Sequence, residues 1–173
     1  PISLELDHQE DPAKCAYMPH LLEKLDKAGL RCMSIPQEYG GGGVDDLLTH
    51  CIVGEEISWG DRGATGWMLS STKITHLLTS DVLSTKEMAD EWLPQYVNDP
   101  TFMIGTATTE PDSGSENQLP YNGVDGGYKV TAIKDGDDYV VNGKKHFISN
   151  VGYAKLMFTF VRTNPNVGVE EGA

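Results

Sequence analysis

Hydrophobic positions follow two rhythms along this chain, and the change falls near residue 100. Before it the spacing is helical. Leu21, Leu22, Leu25 and Ala28 recur at three- and four-residue steps, which predicts a helix with one apolar face, stopped by Gly29. A second helix is predicted from about Asp45 to Ser58, burying Leu48, Cys51, Ile52 and Ile57 and ended by Gly60. From Gly63 to Thr79 the apolar residues Ala64, Trp67, Met68, Leu69, Ile74, Leu77 and Leu78 lie on several sides, the pattern of a central, buried helix. Ser84-Thr85-Lys86-Glu87 has the form of a capping box. It predicts a helix carrying Met88, Trp92 and Leu93 inward, with Pro94 kinking or ending it. Between the first two helices, Ile35-Pro36-Gln37-Glu38-Tyr39 runs into four consecutive glycines, Gly40 to Gly43, which exclude regular structure.

After Pro100 the pattern changes to strands. Phe102 to Thr108 is one. Tyr128 to Lys134 and Tyr139 to Asn142 flank Asp135-Gly136-Asp137, a hairpin-turn signal. Asn142-Gly143 marks a further turn, and Leu156 to Val161 has high strand propensity. The expected fold class is α+β, with an all-α domain over residues 1–100 followed by part of an antiparallel β-barrel-like domain over residues 101–173. Three or four strands with open edges make a poor independent sheet, so something should complete it.

Composition narrows the function classes. The chain is 39% hydrophobic and 23% charged, which fits a soluble globular protein. No run of about 18 apolar residues could span a membrane, and no cationic-then-apolar leader is present. A chain that starts at Pro1 reads as processed, or as a piece of something longer. The 26 acidic residues against 13 basic ones give a net charge of −13, which argues against nucleic acid as a partner. A small anionic ligand is still allowed, since backbone N–H groups can bind phosphates locally. Cys15, Cys32 and Cys51 lack any Cys-x-x-Cys spacing and read as reduced, partly buried thiols in a cytoplasmic protein. The five histidines have no ligand spacing, so no metal site is expected.

Two segments carry candidate chemistry. Thr106 to Glu116 leads a strand into a loop that contains Pro and Gly and is crowded with hydroxyls. It presents many donors at close quarters and suits a polar cofactor or a diphosphate. On its own the same segment reads equally well as a Ser/Thr-rich surface turn. The second segment, Asn142 to Asn150, is by itself only a turn followed by a short strand.

In order and together, these segments resemble the acyl-CoA dehydrogenase family. Ile35-Pro36-Gln37-Glu38-Tyr39-Gly40-Gly41 is similar to its "IPxEYGG" loop, and Gly54-Glu55-Glu56-Ile57-Ser58 to the helix that follows. Thr109-Glu110-Pro111 with Gly114-Ser115-Glu116 resembles the "TEPxxGSD" flavin loop. Asp135 to Lys145 resembles the "DGDxYxxNGxK" hairpin, and Phe147-Ile148-Ser149-Asn150 the "(W/F)I(T/S)N" strand. The likeness runs from about Leu21 to Arg162.

The resemblance implies FAD as cofactor and an acyl-CoA thioester as substrate. It implies that Thr109, with the backbone around Ala107 and Thr108, bonds the pyrimidine edge of the flavin, where negative charge gathers on reduction. Gly114 belongs to the same loop, and Ser115 reaches the FAD pyrophosphate beside the incoming CoA. Phe147 packs on the isoalloxazine, Ser149 bonds near its reactive nitrogen, and Ile148 lies between them. Thr65, Gly66 and Leu69 line the acyl pocket, whereas Trp67 and Met68 read as core. The implied reaction is α,β-dehydrogenation to an enoyl-CoA: a carboxylate takes the α-proton, a hydride leaves the β-carbon, and electrons pass to an electron-transfer flavoprotein. Glu55, Glu56 and Glu110 are not convincing bases. The family's base lies in a carboxy-terminal helical domain beyond Ala173, so that domain is expected from a homo-oligomer, commonly a homotetramer, or from a partner subunit. The expected location is the cytoplasm, or the mitochondrial matrix in a eukaryote. Two other readings stand beside this one: a flavin monooxygenase or oxidase of the same fold, and a truncated non-catalytic subunit that completes a partner chain. Three departures from the family pattern stand out. Glu116 replaces Asp, the loop over residues 117–127 is long, and the base is missing from the sequence.

Overall fold

The computed structural model describes residues 19–118 and 123–172, with the side chains of Pro19, His20, Trp67, Met68 and Gln118 excepted. The assignment of Trp67 and Met68 to the core therefore lies outside the described residues. The chain divides into two compact units at Met103/Ile104.

The first unit is helical. Helix α1 (Pro19–Lys27) buries Leu22 and Leu25 and ends where Gly29 takes φ 73°. Ala28 is exposed, because the helix stops one residue short of it. Arg31 is 1% exposed. It bonds Asp26 at 2.6 Å and the carbonyls of Tyr96 and Val97 at 2.7 and 2.9 Å, with its guanidinium over the Tyr96 ring. One side chain thus ties the loop after α1 to the end of the last helix of this unit. The glycine run is irregular, as expected, but a 3-10 turn (Gln37–Tyr39) precedes it. Gly41 passes so close to Ile35 that a Cβ there would collide with the Ile35 backbone and side chain.

Helix α2 (Leu47–Gly60) starts at Asp46, whose carboxylate accepts from the Thr49 N–H at 2.8 Å. It corrects the sequence reading. Leu48 is 70% exposed and Ile52 53%, Cys51 is exposed, and Ile57 is only half-buried. Apolar residues occur all round this helix, so packing one side on α3 (Arg62–Leu78) leaves the others uncovered among the described residues. Helix α3 is the central one, packed against α1, α2 and α4 (Lys86–Asn98). It buries Ala64, Ile74 and Leu78, together with Ser70 and Ser71. Helix α4 is capped by Thr85 rather than Ser84, and without a side-chain bond from the cap residue. Leu93 is buried and Trp92 half-buried, but Met88 is exposed, and the helix continues through Pro94 to Asn98.

The second unit holds two small sheets. Strands β2 (Thr131–Asp135) and β3 (Asp138–Asn142) form the expected antiparallel hairpin, turned at Gly136 with φ 64°. Strands β1 (Ile104–Ala107) and β4 (Leu156–Thr159) pair in parallel, Ile104 opposite Leu156, and no closed barrel forms among the described residues. The antiparallel expectation is corrected here. The long connection from residue 108 to 155, which contains the hairpin, returns the chain in the same direction, as a parallel pair requires. A four-residue helix, α5 (Val169–Gly172), follows β4. No described helix is long and apolar enough to cross a membrane.

Candidate functional site

The end of β1 and the segment after the hairpin come together in the second unit. Ala107 closes β1 and is buried, while Thr108 and Thr109 leave the strand half-buried. Three bonds pin residues 145–150 along this edge. Lys145 Nζ donates to the Thr108 carbonyl at 3.1 Å, the His146 N–H to the Thr109 carbonyl at 3.0 Å, and Asn150 Nδ2 to the Ile104 carbonyl at 3.0 Å. Phe147, Ile148 and Ser149 form the arch between these anchors. Phe147 is 87% exposed at φ 55°, and Asn150 also has positive φ, at 66°. A bulky side chain in left-handed backbone is strained, so the anchors hold it there against its local preference. The structure thus groups Ala107, Thr108 and Thr109 with Phe147, Ile148 and Ser149, although about forty residues separate the two segments. The hydroxyls of Thr109 and Ser149 and the Thr109 N–H have no hydrogen-bond partner among the described residues.

Gly114 and Ser115 follow on the same loop. The Gly114 N–H donates to Glu116 Oε2 at 2.8 Å, and Ser115 is exposed where a short 3-10 turn (Ser115–Gln118) begins. This bond to Gly114, with the backbone of Glu116 itself, holds the Glu116 carboxyl below its ordinary range. Glu116 is thus a loop-closing acceptor, one carbon longer than the expected Asp.

Beneath the arch lies an ion pair that the sequence reading does not contain. Glu110 is 3% exposed and receives Lys145 Nζ at 2.6 Å, the Lys129 N–H at 2.5 Å and the Val130 N–H at 3.0 Å. Burial alone pushes its carboxyl up. The Lys145 bond and the two amides outweigh that, and the carboxyl sits below its ordinary range. The Tyr128 ring lies 4.4 Å from Lys145 Nζ. Burial raises the Tyr128 hydroxyl, and the Glu110 charge adds to the effect. Lys144 and Lys145 are adjacent in sequence, but only Lys145 is drawn inward. Nothing in the tandem distinguishes the two beforehand.

The helical unit holds a cavity of about 640 Å³ lined from α2 and α3, within the size range of small-molecule sites. Thr65 and Leu69 line it, whereas Gly66 is exposed and does not. Thr65 Oγ1 bonds Ser58 Oγ at 2.7 Å. One wall carries a polar chain that the sequence reading misses: Ser34 Oγ lies 2.6 Å from His50 Nε2 and 3.0 Å from Thr72 Oγ1. His50 Nδ1 lies 2.8 Å from the Asp46 carbonyl, to which it donates, and Nε2 faces the Ser34 hydroxyl. Separations of 16 and 38 residues give this contact no sequence signature.

Comparison with known proteins agrees in both halves. The sequence pattern of the acyl-CoA dehydrogenase N-terminal domain matches residues 3–99, and that of the middle domain residues 105–172. The chain is 28% identical to a cyclohex-1-ene-1-carbonyl-CoA dehydrogenase of Syntrophus aciditrophicus, over 98% of this chain and 37% of that protein. It is 33% identical to an acyl-CoA dehydrogenase of Bacillus subtilis, over 86% of this chain and 36% of that one. Among solved structures, an acyl-CoA dehydrogenase from Geobacillus kaustophilus superimposes with a TM-score of 0.70 at 28% identity, over 92% of this chain and 39% of its own. The chain therefore spans little more than a third of the length of the curated relatives it matches. With both of its halves matched in order, this chain belongs to the acyl-CoA dehydrogenase family.

Proposed function

We propose that residues 1–173 supply the flavin-binding part of an FAD-dependent dehydrogenase that converts an acyl-CoA thioester to an enoyl-CoA. Residues 1–100 are its helical domain and residues 101–173 part of its flavin-cradling domain. The pinned arch carries this reading. An 87% exposed aromatic ring in strained backbone stands beside hydroxyls and an N–H that have no partner among the described residues, and these are the groups that a planar, polar-edged ring system needs. The donor set thus fits FAD, which when bound supplies the two-electron acceptor for the reaction.

The remaining steps belong to the chain's own residues. Phe147 packs on the flavin face, with Ile148 supporting the arch. Thr109 and the backbone of Ala107 and Thr108 bond the pyrimidine edge, and Ser149 bonds near the reactive nitrogen of the ring system. Gly114 and Ser115 face the pyrophosphate. In the helical unit Thr65 and Leu69 belong to the acyl site, with Gly66 between them in sequence on the same helix but outside the cavity lining. Glu55 and Glu56 are exposed on α2 and Glu110 is engaged by Lys145, so the α-proton is removed by a carboxylate from outside these residues. That carboxylate comes with a carboxy-terminal helical domain, in a homo-oligomer such as a homotetramer or on a partner subunit. An electron-transfer flavoprotein takes the electrons. The protein works in the cytoplasm, or in the mitochondrial matrix in a eukaryote.

The test is anaerobic mixing of the flavin-loaded native assembly with a panel of acyl-CoAs. Bleaching of the flavin absorbance with stoichiometric enoyl-CoA supports the reading. Flavin that stays oxidised with every thioester but is reduced by a nicotinamide cofactor overturns it in favour of a monooxygenase, and thioester-reduced flavin that is reoxidised rapidly by oxygen does so in favour of an oxidase.

A further inference from the structure

We propose that Lys145 is a positioning residue for the flavin site, acting through the Thr108–Thr109 peptide to make the Thr109 N–H a stronger donor. The inference rests on the flavin reading above. The Thr108 carbonyl and the Thr109 N–H belong to one planar, resonance-coupled unit and point in opposite directions. A cation hydrogen-bonded to the oxygen draws electron density through the unit and leaves the N–H more positive. Lys145 Nζ is that cation, 3.1 Å from the Thr108 carbonyl.

Three further observations make the effect strong here. The side chains of Lys145 and Glu110 are only 10% and 3% exposed, so water does little to screen the ammonium. The ammonium is fixed on its other sides by Glu110 at 2.6 Å and by the Tyr128 ring at 4.4 Å. The Glu110 carboxylate is also shared with the amides of Lys129 and Val130, so Lys145 is only partly neutralised and keeps charge to act on Thr108. The next peptide is held as well, because the Thr109 carbonyl accepts from the His146 N–H at 3.0 Å. Thr109 is therefore fixed on both sides, while its own N–H has no partner among the described residues. A donor at this place strengthens most for a ligand that gains negative charge, as a flavin does on reduction.

The experiment compares wild type with Lys145→Met, Lys145→Arg and Glu110→Gln by two readouts. One is the amide proton shift of Thr109 in the flavin-free chain, followed by NMR. The other is the midpoint potential of the flavin in the loaded protein. In Lys145→Met the Thr109 amide proton is expected to move upfield. Reduced flavin is expected to bind about tenfold less tightly relative to oxidised flavin, which lowers the two-electron midpoint by about 30 mV. Lys145→Arg restores both. Glu110→Gln, which leaves the ammonium less compensated, moves both the opposite way. An unchanged Thr109 amide and an unchanged potential in Lys145→Met, whatever its melting temperature, would overturn the proposal and leave a plain structural ion pair. Should Lys145→Met fail to fold, Glu110→Gln decides alone: an upward shift in potential supports the proposal, and no shift or a downward one overturns it. If wild type takes up no FAD, the functional reading falls, while the Thr109 amide still decides whether Lys145 polarises that peptide.

Discussion

Glu110 and Phe147 show how single residues at this site act in opposite ways. Glu110 gives stability: its folded carboxyl lies below the ordinary range despite burial, because Lys145 and the Val130 and Lys129 amides favour the anion. A carboxyl whose pKa is lowered by folding contributes stability above its unfolded value of about 4.3 and loses it as pH falls through the folded value. Glu110→Gln is therefore expected to cost roughly 3 kcal/mol at pH 7, where Lys145 is left without its counter-charge, and far less near pH 2. Urea melts of both proteins at the two pH values check this, and an equal loss at both contradicts it. Phe147 gives the fold little, since its ring is 87% exposed and its backbone sits at φ 55°. Phe147→Gly should leave stability within about 1 kcal/mol, as relief of backbone strain offsets the added freedom of the unfolded chain. At this scale the sequence singles out residues that belong to a contiguous motif, as Thr109, Ser115, Phe147 and Ser149 do, and their roles stand as proposals. The partnership of Glu110 with Lys145 is not legible there, because an ion pair 35 residues apart leaves no periodicity to read.

Among the elements, the glycine turns follow local chemistry closely, whereas the Ser84 cap and the pattern of burial do not. The glycine loop, the Gly136 hairpin and the stop at Gly29 are each forced by a close approach or a positive φ. Gly41→Ala would drive a methyl group into the Ile35 backbone, so a loss of about 3 kcal/mol is expected in a denaturant melt, and a loss under 1 kcal/mol would contradict the contact. Helix α2 is where the sequence misleads. The pattern assigns Leu48, Cys51, Ile52 and Ile57 to a core, but among the described residues Leu48 and Ile52 are more than half exposed, as are Leu47 and Trp59. Periodicity marks which face can be buried. It cannot say what covers it. The parallel pairing of β1 with β4 was hidden for a related reason: strand propensity fixes neither partner nor direction, which here depend on the connection over residues 108–155.

For the molecule as a whole, charge and family membership pull on the same question. The net charge of −13 repels the anionic pyrophosphate of FAD, so added salt should speed its association, and a stopped-flow rate that falls with ionic strength would count against that. The family assignment covers both units, but this chain matches only 37% of the Syntrophus relative, so its chemistry has to be measured on its own residues. The most direct measurement is a calorimetric titration of FAD into the purified protein and its Phe147→Gly variant. Saturable binding of one FAD per chain, weakened about tenfold or more by loss of the aromatic face, is the predicted result. No saturable binding, or equal binding by the variant, would contradict the account.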